Sequence, residues 1–183
     1  GFGLLLLVAA GGELISERAG VLNLSVEGMM LTGAFTAVLG SVTTGSAWLG
    51  AAAGVLGGLL VGVLQAFLSV RCRADQIVVG IAANALALAA TTFAARLLLA
   101  DGRGQSVPAF DQLAVPVLSE LPVVGRALFA QTALGYVCIV VVAVTAWLLG
   151  PRTGPGLAID ATGEDATSAD WTGLPVNRLR ALC

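Results

Sequence analysis

Residues 16–31 read SERAGVLNLSVEGMML, and they set Glu17, Arg18, Asn23 and Glu27 between two strongly apolar stretches. Charge in such surroundings is costly. Residues of this kind hold a partner, line a path or mark an edge of the membrane. Which of these applies depends on what flanks them.

Of the 183 residues, 57% are hydrophobic and 11% charged, and the mean hydropathy is +0.95. A soluble globular domain is far more polar, so the sequence predicts a membrane protein. Nine basic residues against eleven acidic ones leave a net charge of −2. The basic residues are scattered, which excludes a nucleic-acid footprint. All of them are Arg, so neither a Walker A lysine nor a Schiff base can be supplied. Histidine is absent, and with it the commonest general base and metal ligand. No catalytic residue, metal site or cofactor is predicted. Cys72, Cys138 and Cys183 are far apart and odd in number, and they read as small apolar fillers.

A hydrocarbon core of roughly 30 Å needs about 20 residues of helix. Five stretches are candidates, at about 1–15, 20–40, 48–70, 76–100 and 129–149, the first of them short. The fold class is therefore all-α, a polytopic transmembrane helical bundle, with residues 1–183 forming a single domain. The chain starts at Gly1, and a new segment opens just before Cys183, so a fragment of a longer subunit is expected, incomplete at its C-terminus. Placing the end of the first span inside collects Arg18, Arg71, Arg73, Arg152, Arg178 and Arg180 on the cytoplasmic side. Only Arg103 and Arg126 then lie outside, with Arg96 near the outer rim, which satisfies the positive-inside rule. Residues 101–126, with Pro108, Pro116 and Pro122, become an extracytoplasmic loop.

Two stripes stand out within the spans. Gly50, Gly54, Gly58, Gly62 and Ala66 recur every four residues and predict close backbone packing against another helix. Gln76, Gly80 and Asn84, with Thr91 or Thr92, form a polar and small stripe on the fourth span. It serves either inter-helix hydrogen bonding or a solute path. In the opening stretch, Glu17 and Arg18 fall in a short cytoplasmic turn. Asn23 and Glu27, four residues apart, share a face if the helix has already begun. They either cap that helix at the interface or open a broken entry whose free amides face a cavity.

The string GELISERAGVLNLSVEGMMLTGAF resembles the signature of the permease subunits of ABC importers in the branched-chain amino acid, simple sugar and nucleoside group, and is most similar to the nucleoside type. The likeness continues through RADQIVVGIAANAL and PVLSELPVVGRALFAQ. Two positions depart from the family pattern, with Asp75 where Asn is common and an acid at Asp160 where a basic residue is common nearby. The resemblance implies a multi-pass protein of the bacterial inner membrane, and the polar positions Asn23, Glu27, Gln76 and Asn84 read above are the candidates for a substrate path.

After the last span, Thr162 and Asp165 resemble a capping box, and Gly173 with Pro175 suits a helix end. A short surface helix from Glu164 to Thr172 is expected, which on composition alone is an interfacial or linker helix. The resemblance instead implies that residues 162–175 are the coupling segment that docks on an ATPase, with Gly163, Glu164, Asp165, Ala169, Asp170, Trp171 and Gly173 taking part. It also implies partners: ABC ATPase subunits that hydrolyse the nucleotide, a second and different permease chain, and an extracytoplasmic solute-binding protein or lipoprotein, all around the lipid bilayer. A secondary transporter or a structural membrane protein without a solute path are the alternatives.

Overall fold

Small residues decide how the membrane helices meet. The computed structural model describes residues 2–98, 107, 108, 110, 112–114, 130–150 and 152–183. Helix α1 (Phe2–Arg18) is followed by a non-helical stretch, then α2 (Val26–Thr44) and α3 (Ala47–Ala66). The last of these runs on into a π-helical turn, Phe67–Arg71, before α4 (Gln76–Leu98). Three of these segments, Val26–Thr44, Ala47–Arg71 and Gln76–Leu98, are long and apolar enough to cross a membrane. At 1.5 Å per residue they reach about 28 Å or more, enough for a hydrocarbon core.

The most extensive helix contact is α2 against α3, and the glycine ladder makes it. A Cβ on Gly54 would lie 2.9 Å from the Ala37 Cβ and 3.0 Å from the Gly33 carbonyl oxygen. On Gly50 it would sit 2.6 Å from the Ser41 Cβ. Gly33, Ala37 and Ser41 are therefore the matching small stripe on α2. The ladder is tightest at this end, because a Cβ on Gly58 would keep 3.4 Å from the nearest atom, the Met29 carbonyl oxygen. Gly57, off the ladder, is equally constrained, since a Cβ there would run into the Thr36 hydroxyl.

Beyond α4, strand β1 (Gln112–Ala114) pairs antiparallel with β2 (Ala130–Thr132), a small ribbon on an otherwise helical chain. It leads directly into α5 (Ala133–Leu148), whose amino end is capped by Thr132 accepting from the Gly135 amide. Most of the expected loop at 101–126 lies outside the described residues. At that end Phe110 meets Trp48 edge-on, with ring centroids 5.0 Å apart. The chain closes with three short helices, α6 (Gly154–Glu164), α7 (Ala166–Trp171) and α8 (Val176–Leu182). All three cysteines are free, and Cys72 is exposed rather than a buried filler.

Candidate functional site

The opening stretch adopts a form that helical spacing cannot anticipate. Gly20, at φ +74°, ends α1 in the left-handed region where a side chain would be strained. The chain from Val21 to Ser25 then runs without helix, and α2 starts only at Val26. Asn23 and Glu27 consequently do not share a helix face. The Asn23 Oδ1 accepts from the Ser25 amide at 3.2 Å and the Ser25 hydroxyl at 2.9 Å, whereas Glu27 is exposed in the first turn of α2.

A non-helical stretch beside membrane helices must have its backbone groups satisfied by neighbours. The polar stripe on α4 does this. The Leu22 amide donates to Gln76 Oε1 at 2.7 Å, Asn84 Nδ2 donates to the Leu24 carbonyl at 2.8 Å, and the Gly28 amide donates to Asn84 Oδ1 at 2.7 Å. Gly80 lies between the two polar residues because Leu24 crosses directly over it, where a Cβ would come within 2.5 Å of the Leu24 Cβ. Gln76, Gly80 and Asn84 thus form a clasp around the entry to α2. Removing the Asn84 amide leaves two backbone groups without partners, at about 1–3 kcal/mol each. Asn84→Ala is therefore expected to lower thermal stability and transport together. Transport lost at unchanged stability would instead make Asn84 a solute-path residue.

The second cluster gathers the arginines at the ends of α1, the π-helical turn and α8. Arg18 donates through Nε and Nη2 to the two carboxylate oxygens of Asp160, at 2.7 and 2.6 Å, and through Nη1 to the Leu149 carbonyl at 2.7 Å. The acid at Asp160 has its counter-charge within the chain. Gly163 packs so closely on the Arg18 carbonyl that a side chain cannot fit. Arg180 Nε donates to the Ala19 carbonyl at 3.2 Å, and Ser16 Oγ donates to the Cys183 carbonyl at 2.8 Å. These contacts fix α6 and α8 against the end of α1. Asp75, the other unusual acid, caps α4 by accepting from the amides of Ile77 and Val78 at 2.9 and 3.2 Å. Asn caps as well as Asp does, so this departure leaves the local structure unchanged.

The guanidinium beside Asp160 holds its carboxyl below the ordinary carboxylate range. A depressed pKa means that the pair stabilises the fold above the unfolded value, near ~3.9, and that this contribution is lost as pH falls through the lower folded value. Both side chains are about one-third exposed or less, at 27% and 34%, so screening limits the pair to about 1 kcal/mol. Asp160→Arg, which puts like charges together, is expected to lower the melting temperature of the full-length subunit. The swapped pair Arg18→Asp with Asp160→Arg is expected to recover much of the loss.

The expected surface helix is α7, Ala166–Trp171, shorter at its start than the expected Glu164–Thr172 and capped by a different residue. Thr162 does not cap it: it is buried at the end of α6, where its hydroxyl donates to the Ala158 carbonyl at 2.7 Å. Asp165 is the cap of α7, its Oδ1 accepting from the Thr167 and Ser168 amides at 2.9 and 3.2 Å. The Ser168 hydroxyl and these amides hold its pKa below the ordinary value. Ala169 faces inward at 4% exposure, while Trp171 is 87% exposed. Glu164, Asp165, Asp170 and Gly173 are exposed as well. The segment therefore has an inner face, Gly163 and Ala169, and an acidic outer face ending in one large aromatic ring.

The sequence matches, over residues 1–183, the family described as the branched-chain amino acid transport system permease component. The chain belongs to this permease family. It is a multi-pass membrane protein and an ABC transporter permease. Among its relatives, the provisionally named glucose ABC transporter permease TsgC13 of Haloferax volcanii is 40% identical over 97% of this chain and 54% of its own length. The guanosine ABC transporter permease NupQ of Bacillus subtilis is 34% identical over 97% of this chain and 58% of its own. The nucleoside ABC transporter permease NupC of Lactococcus lactis is 35% identical over 96% and 57%. The chain thus spans little more than half the length of these relatives. No solved structure matches it.

Proposed function

We propose that this permease forms part of the translocation path of an ATP-driven importer for nucleosides or a related sugar-containing solute. Energy comes from separate ATPase subunits, in keeping with the lack of any lysine for a Walker A loop within residues 1–183. A second permease chain completes the path, and an extracytoplasmic binding protein or lipoprotein delivers the solute. Two of the relatives carry nucleoside or guanosine in their names and one carries glucose, which supports a ribosyl or hexosyl solute.

The observation that carries this reading is the outer face of α7. Trp171 projects from a short capped helix that follows directly on α6, and α6 is fixed to the end of α1 through Gly163 and the Arg18–Asp160 pair. An interfacial anchor needs a broad apolar face with basic residues opposite, whereas EDATSADWT is acidic with one large apolar group. A protein groove with a basic rim suits it better. Movement of that groove would pull on α7, α6 and α1 together, biasing the spans between two arrangements. Uptake of labelled guanosine and of glucose, with and without a co-expressed ATPase subunit, tests the proposal. Uptake independent of the ATPase would overturn it.

A further inference from the structure

Between the π-helical turn, the start of α4 and the helices α7 and α8 lies a cavity of about 420 Å³, within the range of small-molecule sites, about 300–1,000 Å³. Its wall is polar and includes Ser69, Arg73, Gln76, Thr167, Asp170 and Arg180. Ser69 is 7% exposed, and its hydroxyl has no partner among the described residues. Buried polar groups without partners are rare and call for a ligand or an ordered water. Arg73 is held at the cavity by an unusual backbone, φ +54°, and forms no ion pair among the described residues. Among the described residues Arg180 donates through Nε to Ala19 and through Nη2 to Thr162, leaving further N–H donors of its guanidinium.

We propose that this cavity binds a phosphate group, carried by a soluble phosphomonoester or by a lipid headgroup, with Arg73 and Arg180 as its cationic partners and the Ser69 hydroxyl as its buried donor. Guanidinium groups match phosphate oxygens in geometry as well as charge. Asp170 faces the same space and would repel a bare anion. It therefore selects ligands that offer a hydroxyl or ammonium donor beside the phosphate. The cavity shares Thr167 and Asp170 with α7 but is not lined by Trp171, so a Trp171→Ala variant that fails in transport would leave this site intact.

The test uses the full-length subunit in a phosphate-free maltoside detergent. Ribose 5-phosphate and ribose are titrated by calorimetry, and retention of phosphatidylglycerol is followed by native mass spectrometry. Saturable binding of ribose 5-phosphate but not ribose identifies a soluble source. Retained phosphatidylglycerol that ribose 5-phosphate does not displace identifies a lipid source. In either case Arg73→Gln is expected to weaken binding about tenfold or more and Ser69→Ala less, while Arg73→Lys, which keeps the charge and loses the planar fork, falls between wild type and Arg73→Gln. Arg73 is exposed, so the glutamine variant should melt like wild type. Binding of neither probe, or equal binding to wild type and Arg73→Gln, would overturn the proposal.

Discussion

Trp171→Ala is expected to cut ATP-driven uptake at least tenfold while the subunit is still made and inserted. The side chain is 87% exposed, so its loss removes little from the fold itself. Its expected role lies outside the chain. Aromatic anchors at the centre of a protein interface cost about 2 kcal/mol or more when truncated, roughly thirtyfold in affinity. The helix that presents it is capped by Asp165 and turns Ala169 inward, both within the chain. Uptake normalised to the amount of subunit in the membrane measures the effect, together with co-purification of the ATPase. If both were unchanged in Trp171→Ala, the outer face of α7 would not be the docking surface.

Gly54→Leu is expected to lower the melting temperature and the folded yield clearly. A Cβ alone would already overlap Ala37 and Gly33 on α2, and the remaining side-chain atoms would have to separate the two helices. Overpacking of this kind costs about 1–3 kcal/mol or more, against a total stability of about 5–15 kcal/mol. Gly58→Leu starts from a wider gap and should be milder. Comparing the two by monodisperse yield and melting temperature tests the graded contact. Equal behaviour of both variants at wild-type level would remove the ladder from the α2–α3 interface.

Much of the architecture could be read from the residues. The apolar runs gave a helical membrane protein, and the four-residue spacing of Gly50 to Ala66 announced a close helix contact, although its partner stripe of Gly33, Ala37 and Ser41 went unnoticed. That signal was present as small residues four apart on α2. What helical periodicity could not show was the break at Val21–Ser25. Three of its five side chains are apolar, and the partners of the Leu22 amide and the Leu24 carbonyl, Gln76 and Asn84, lie more than fifty residues away. Those same bonds give the α4 stripe a structural role, with its place in a solute path still a proposal. The capping box failed for a related reason. Thr162 has the right spacing, but α6 continues through it, so Asp165 starts the next helix instead. Pairing of Arg18 with Asp160 spans 142 residues, a distance over which no local pattern carries information.

The central claim is that the outer face of α7 meets an ATPase whose movement reaches the membrane helices. Its most direct test places a single cysteine at Thr172, which is exposed next to Trp171, in a full-length subunit with Cys72, Cys138 and Cys183 replaced. Ala169 is unsuitable because it faces inward. Disulfide crosslinking to single cysteines along the ATPase groove is then followed with ATP, with ADP and without nucleotide. A crosslink to the ATPase whose yield changes with nucleotide is expected. A chain that transports normally yet gives no crosslink to the ATPase in any nucleotide state would contradict it.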